Sequence, residues 1–141
     1  MDDEKPVSVV LVEDNEADVY IITDILKSCG FPFELKVLHS GESALERFRS
    51  VVEQDRPSLL LLDLNIPRFS GLEVLETLRK GTPFREIPVV VVTSSDSPED
   101  VAAAEALGIK GYFRKPTSLS AYMELGDVIC RALQRSRPAG G

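Results

Sequence analysis

Short apolar runs alternate with longer stretches whose apolar residues recur at helical spacing, and this alternation repeats five times along the chain. Residues 9–12, 59–62 and 89–92 are apolar at every position, which is typical of strands buried on both faces of a parallel sheet. Parallel strands that alternate with helices are joined by right-handed crossovers. The pattern therefore predicts an α/β fold: a doubly wound, five-stranded parallel sheet. Among the common strand orders of such sheets we choose 2-1-3-4-5, which is known from other proteins of this class.

The boundaries of these elements follow from capping and breaking residues. Asn15 is a suitable N-cap for the first helix, Gly30 ends that helix, and Pro98 opens the fourth. The second strand alternates charged and apolar residues, which predicts an edge strand. We expect strands over residues of about 7–12, 34–38, 59–62, 89–92 and 111–114, and helices over about 16–29, 40–52, 72–80, 98–108 and 118–134.

Four of the predicted strands end in side chains that can do chemistry. Glu13 and Asp14 follow the first strand, Asp63 the third, Thr93 the fourth and Lys115 the fifth. Ligands of open α/β sheets bind beyond the carboxyl ends of the strands, so these side chains should converge on one edge. Carboxylates, a hydroxyl and an ammonium together are the groups that bind a divalent cation and a phosphoryl group.

Asp63 is the predicted centre of this site, because a carboxylate can attack phosphorus and carry the phosphoryl group as an acyl phosphate. Glu13, Asp14, Asp63 and the backbone carbonyl of Asn65 are candidate ligands for Mg²⁺, which prefers oxygen ligands and retains several waters. Taken alone, the acidic pair is better explained as favourable charge at a helix N-terminus, but Asp63 at the end of the third strand favours a metal site. Lys115 supplies a positive charge to a phosphoryl oxygen and holds the carboxylates together before transfer.

Thr93 and Tyr112 complete the set of candidates. The Thr93 hydroxyl is a hydrogen-bond donor for a phosphoryl group, although a threonine at this position also caps the segment after a strand. Tyr112 has an apolar ring and a polar tip, as a half-buried strand aromatic would. The peptide bond between Lys115 and Pro116 is open to both cis and trans forms.

Composition narrows the class of protein. We expect a single domain over residues 1–141, with its core at about 7–133 and flexible ends. The net charge of −7 and the pI near 4.8 argue against nucleic acid as a partner, because neutralising phosphates needs clustered Lys and Arg.

No apolar run approaches the ~20 residues that span a bilayer, and the N-terminus is acidic, unlike a signal peptide. Cys29 and Cys130 are predicted to be reduced core thiols, so we expect a cytoplasmic protein without membrane contact.

Five motifs in this chain, spaced in the right order over about residues 7–133, resemble the receiver domain of bacterial response regulators, which has a CheY-like, flavodoxin-like fold. Residues 65–68 and the loop at 84–88 are similar to those of stand-alone regulators that serve phytochrome-type histidine kinases. Ile66 stands where the family commonly has Met, and Ser95 is smaller than the polar residue of some relatives. The motifs that carry the resemblance are Val12–Asn15, Leu62–Pro67, Gly71, Val92–Ser94 and Tyr112–Pro116.

The resemblance implies a two-component protein that accepts a phosphoryl group on Asp63 from a kinase phosphohistidine, and that is not itself an enzyme. It implies Mg²⁺ as the cofactor, a sensor histidine kinase as one partner, and an unknown downstream protein as the other. It also implies that Thr93 and Tyr112 respond to the phosphoryl group and change the face formed by the fourth helix, the fifth strand and the last helix. A phosphorelay intermediate is the alternative within the family.

Two alternatives lie outside the family. An aspartate-nucleophile phosphatase carries a second Asp two residues after the nucleophile, where this chain has Asn65, whose amide transfers no proton usefully. A nucleotide- or flavin-binding domain is the other alternative, but no glycine-rich phosphate-binding motif follows the first strand.

The last predicted helix is apolar over about twice the ~100° arc that packing on a sheet requires. Beside the stripe that should face the sheet, a second stripe contains Ala121, Leu125, Val128 and Ala132. We expect this second stripe to be exposed, and exposed apolar patches usually mark interfaces. The alternative is that neighbouring elements or the tail cover it. The helix therefore predicts a homodimer, with Leu125 and Val128 near the centre of the contact.

Overall fold

Five parallel strands form one sheet, and β2 lies at its edge as predicted. The computed structural model describes residues 5–50, 56–81 and 84–136. The strands are β1 (Val7–Val12), β2 (Phe33–Leu38), β3 (Leu59–Leu62), β4 (Val89–Thr93) and β5 (Gly111–Arg114). Their order is β2-β1-β3-β4-β5, which confirms the predicted order.

The helices lie between the strands and after the last one. The described helices are α1 (Glu16–Ser28), α2 (Gly41–Ser50), α3 (Gly71–Gly81), α4 (Pro98–Ala106), α5 (Leu119–Tyr122) and α6 (Leu125–Ala132). None of them has the length and apolar character that crossing a bilayer needs. The predicted end of the second helix at Val52, loop residues 82 and 83, and the ends expected to be flexible (1–4 and 137–141) lie outside the described residues.

Helices cover both faces of the sheet, and the alternation of side chains along β1 supplies both layers. Val9 and Leu11 lie in one buried cluster with residues of α1 and α6. Val10 and Val12 lie in a second cluster with residues of α2 and α3. Because successive strand residues point to opposite faces, a central strand covered on both sides is apolar throughout.

The connection after β3 approaches the sheet closely at Gly71. Gly71 N donates to Leu64 O at 3.0 Å, and a Cβ on Gly71 would lie 2.6 Å from Leu64 Cα. Real Cβ atoms do not approach another carbon so closely, so only glycine lets α3 begin directly behind the segment that carries Asp63.

The prediction of one continuous last helix with an exposed second stripe is wrong. The helical segment is divided into α5 and α6, and Leu125 is fully buried. The reason is the position of α6, which packs against α1 on one side and against β4 and β5 on another, so its wide apolar arc is covered within one chain. Val128 is half-buried, with its Cγ1 2.7 Å from where a Cβ on Gly111 would lie. Leu125 therefore cannot lie at the centre of a dimer contact, and the homodimer itself stays a prediction.

Leu125→Ala should lower the free energy of unfolding by about 2–5 kcal/mol, because it leaves a cavity in a buried cluster. Leu119→Ala is the matched control: Leu119 is 61% exposed, so its loss should change the free energy of unfolding by less than about 0.5 kcal/mol. Urea denaturation of wild type and both variants measures the difference. Equally small losses would mean that Leu125 is accessible in solution.

Candidate functional site

One ammonium group lies among three carboxylates at the carboxyl edge of the sheet. Lys115 Nζ donates hydrogen bonds to Glu13 Oε1 at 2.8 Å, to Asp18 Oδ2 at 2.9 Å and to Asp63 Oδ2 at 2.9 Å. An ammonium has three N–H donors, so these contacts use its full capacity. The side chains are largely buried: 11% of Lys115 is exposed, and 5% of Asp63. Burial weakens screening by solvent and strengthens each of these charge-assisted contacts.

Backbone hydrogen bonds that continue the strand ladder hold the two central residues in place. Asp63 N donates to Val12 O at 3.1 Å, and Lys115 N donates to Thr93 O at 2.8 Å. The described residues contain no cis peptide bond, so the bond before Pro116 is trans. Both side chains thus leave the sheet at fixed points on the same edge.

Both carboxylate oxygens of Asp63 have a donor. The backbone N–H of Asn65 donates to Asp63 Oδ1 at 3.0 Å, while Lys115 donates to Oδ2. The side chain is buried, so these two contacts replace the water that an exposed carboxylate would bind. The orientation of the Asp63 carboxylate is therefore determined before any ligand arrives.

The charges of this cluster shift the proton affinity of its members. Burial raises the pKa of Glu13 to about 7, against the lowering effect of the hydrogen bond from Lys115, and the nearby charge of Asp63 raises it further. Burial alone would lower the pKa of Lys115, but the hydrogen bonds to Glu13, Asp18 and Asp63 outweigh burial and raise it. Lys115 is therefore a cation near neutral pH, whereas the pKa of Glu13 lies close to neutral.

The same edge has a set of oxygen ligands for a metal ion. One carboxylate oxygen from each of Glu13, Asp14 and Asp63 lies within 4.8 Å of the other two. Hard oxygen ligands of this kind suit Mg²⁺ or Mn²⁺ rather than a softer metal. Glu13 and Asp63 are buried and Asp14 is exposed, so the set opens to solvent on the Asp14 side, where an ion could keep part of its water. The donors present fit a divalent cation.

Thr93 and Tyr112 both contact the loop between β4 and α4. Thr93 is fully buried, and its Oγ1 accepts a hydrogen bond from Ser95 N–H at 3.4 Å. The Tyr112 hydroxyl donates to the Ser95 carbonyl at 2.9 Å, and burial raises its pKa, so it remains a donor. Ser95 Oγ in turn donates to Asp100 Oδ2 at 2.6 Å at the start of α4. This loop is thus connected to Thr93, to β5 and to α4.

The structure brings together four of the predicted site residues and adds one that was missed. Glu13, Asp14, Asp63 and Lys115 share one cluster, whereas the Asn65 carbonyl as a metal ligand stays a prediction. The missed residue is Asp18, which contacts Lys115 directly. Its one signal in the sequence is its position, because Asp18 is an acid in the first turn of the helix that directly follows Glu13 and Asp14.

Comparison with known proteins identifies a family and several relatives of this chain. Residues 9–125 match the response regulator receiver domain family. The chain is 36% identical over 117 residues to the response regulator Rcp1 of Synechocystis sp., a match that covers 81% of this chain and 80% of that protein.

Two solved structures are similar over nearly the whole chain. The phosphorylated cyanobacterial phytochrome response regulator RcpA superposes with a TM-score of 0.82 and 30% identity, covering 96% of this chain and 100% of that one. The Mn²⁺-bound form of the response regulator Rcp1 also gives a TM-score of 0.82, at 32% identity, covering 95% and 100%.

Mg²⁺ should raise the thermal stability of the wild-type chain, because an ion that binds only the folded state stabilises it. Asp14→Asn should remove more than about 1 kcal/mol of that gain, since it deletes the exposed carboxylate ligand. Glu16→Gln is the matched control: Glu16 is also exposed at the start of α1 but lies outside the ligand set. Thermal denaturation across a magnesium series measures the gain. If Asp14→Asn gains as much stability as wild type, Asp14 is no ligand.

Proposed function

Because this chain belongs to the response regulator receiver domain family, we propose that its Asp63 carboxylate accepts a phosphoryl group from the phosphohistidine of a sensor histidine kinase. Proteins of this family are regulators in two-component systems and generally not enzymes. The observation that carries the proposal is the pair of contacts on Asp63: a backbone N–H on Oδ1 and the Lys115 ammonium on Oδ2.

The transfer forms one bond and breaks another. An Asp63 oxygen attacks phosphorus, the P–N bond to the kinase imidazole breaks, and its electron pair returns to the ring nitrogen. Such transfers depend on positioning and charge stabilisation more than on covalent assistance. Lys115 donates to the oxygens on which charge accumulates, and its burial makes that contact stronger than it would be in water.

Glu13, Asp14, Asp63 and the Asn65 carbonyl would hold a Mg²⁺ ion in this proposal. When bound, the ion neutralises charge on the phosphoryl oxygens and lets carboxylates and phosphate approach one another. The support is the set of three carboxylate oxygens within 4.8 Å. The Mn²⁺-bound form of Rcp1 shows that a similar protein binds a divalent cation.

The phosphoryl group would switch the β4–α4 loop. Thr93 lies at the end of β4, and in this proposal its hydroxyl donates a hydrogen bond to a phosphoryl oxygen. This contact draws the loop towards Asp63. Because Tyr112 is hydrogen-bonded to Ser95 of that loop, it follows, and the face of α4, β5 and the last helices changes. Physically, this is a two-state equilibrium biased by contacts that exist only with phosphate present.

The proposed partners follow from the family and the relatives. A phytochrome-type sensor histidine kinase is the proposed donor, supported by the similarity to the phytochrome response regulator RcpA. An unknown downstream protein would bind the changed face, in the cytoplasm where such kinases present their phosphohistidine.

Asp63→Asn should abolish hydroxylamine-sensitive labelling by acetyl phosphate or by a phosphorylated kinase, because the nucleophile is gone. Asp96→Asn is the matched control, since Asp96 is an exposed carboxylate paired with Arg114 near the same edge. The labelled fraction is measured by mass spectrometry of the intact chain, and circular dichroism confirms folding. Undiminished labelling of Asp63→Asn would refute the assignment.

Thr93→Ala should still be labelled on Asp63 but should switch less completely. Losing one hydrogen bond of about 1 kcal/mol reduces the switched-to-unswitched ratio about fivefold. Hydrogen exchange of α4 with and without acetyl phosphate measures the switch, and Thr77→Ala in α3 is the control. A full exchange response in Thr93→Ala would show that Thr93 has no part in the switch.

A further inference from the structure

Asp18 lies three residues after the N-cap of α1, where an acidic side chain often completes the cap. Its carboxylate instead accepts hydrogen bonds from distant parts of the chain. Asn15 is the N-cap of α1, and its side chain accepts from Asp18 N. An acid three residues after the N-cap typically reaches back to the N-cap N–H. Here the Asn15 N–H donates to Glu13 Oε2 at 3.2 Å instead, so the Asp18 carboxylate is available for other contacts.

Both oxygens of the Asp18 carboxylate have donors from distant parts of the chain. Oδ2 accepts from Lys115 Nζ at 2.9 Å, and Oδ1 accepts from the Tyr122 hydroxyl at 2.9 Å. Tyr122 is 4% exposed, and its ring lies against Phe113 of β5, with the centroids 5.9 Å apart. Burial, together with the hydrogen bond to Asp18, raises the pKa of Tyr122, so its hydroxyl remains a donor. Asp18 thus connects Lys115 to α5.

Asp18 differs from the other two carboxylates on Lys115 in one respect. Glu13 and Asp63 belong to the set of oxygens that can hold a metal ion, and Asp63 is also the proposed phosphoacceptor. Both must therefore change partners during the reaction. Asp18 is outside the metal set, so its contact with Lys115 can persist throughout.

We propose that Asp18, oriented by Tyr122, is a positioning residue that keeps the Lys115 ammonium beside Asp63 while Glu13 and Asp63 exchange their partners. The inference rests on the proposed phosphoacceptor function. A lysine side chain has many rotamers, and one fixed carboxylate anchor removes most of them. Without that anchor, the ammonium meets the phosphoryl oxygens less often in the geometry that transfer needs.

A helix-end role for Asp18 is the competing explanation, since an acid in the first turn also stabilises a helix through its dipole. The two explanations differ in whether the effect of replacing Asp18 depends on Lys115. A helix-end acid affects stability regardless of residue 115. A positioning residue affects the reaction only when Lys115 is present.

A double-mutant cycle on the full chain separates them. Initial rates of phosphorylation by acetyl phosphate at saturating Mg²⁺ are measured for wild type, Asp18→Asn, Lys115→Met and the double variant. We expect Asp18→Asn to be slower than wild type by about tenfold or more, and the double variant to match Lys115→Met within about twofold. Glu16→Gln, in the same turn but without contact to Lys115, should react at the wild-type rate.

Two further measurements make no use of the reaction. The magnesium midpoint of Asp18→Asn, followed by thermal stability, should lie within about threefold of wild type, because Asp18 is no ligand. In metal-free urea denaturation, Asp18→Ala and Tyr122→Phe should be non-additive, because each removes the hydrogen bond between the Tyr122 hydroxyl and Asp18. Tyr122→Phe should also slow phosphorylation, but less than Asp18→Asn.

The outcomes separate this inference from the function on which it rests. If wild type takes no phosphoryl group from any donor, the proposed function fails and the inference fails with it. If wild type is labelled but Asp18→Asn reacts at the wild-type rate, only the inference is overturned. It is also overturned if Asp18→Asn slows the Lys115→Met background as much as it slows wild type.

Discussion

The Lys115 ammonium is the one group on which the arrangement of this site depends. Glu13 and Asp63 are almost completely buried, and an unpaired buried charge costs several kcal/mol even after the protein relaxes. Lys115 compensates both at once and holds Asp18 as well. An ammonium that donates to three carboxylates cannot keep all three contacts unchanged when a metal ion or a phosphoryl group arrives. We therefore expect a bound metal ion or phosphoryl group to redistribute the contacts of Lys115.

Short chains of hydrogen bonds connect Lys115 to the rest of the fold. Lys115 N is bonded to Thr93 O, and Thr93 lies two residues before Ser95, the loop residue that Tyr112 holds. On the other side, Asp18 and Tyr122 connect the ammonium to α1 and α5. A change at Asp63 thus has two physical routes outward, one through the β4–α4 loop and one through the last helices. The family led us to expect the route through the loop and a change in the last helix, but not the connection through Asp18 and Tyr122.

Much of the site could be predicted from the sequence, because the ends of parallel strands are easy to locate and must meet at one edge. Glu13, Asp63 and Lys115 follow apolar strand runs directly, so strand order alone brings them together. Asp18 was missed because an acid in the first turn of a helix has an ordinary explanation, and only the structure shows that Tyr122 donates a hydrogen bond to it. The prediction for the last helix was wrong for a related reason. The width of an apolar arc does not show how many elements of the same chain pack against it, and α1, β4 and β5 all pack against α6, which buries Leu125.

Nuclear magnetic resonance of the lysine ammonium groups tests the central claim most directly. Ammonium protons of exposed lysines exchange with water too fast to be seen, whereas a buried ammonium with three acceptors exchanges slowly. The account predicts one slowly exchanging ammonium signal in the metal-free chain, assigned to Lys115 by its loss in Lys115→Met, that moves when Asp63 is phosphorylated. Absence of that signal, or a signal that does not move on phosphorylation, would contradict the account.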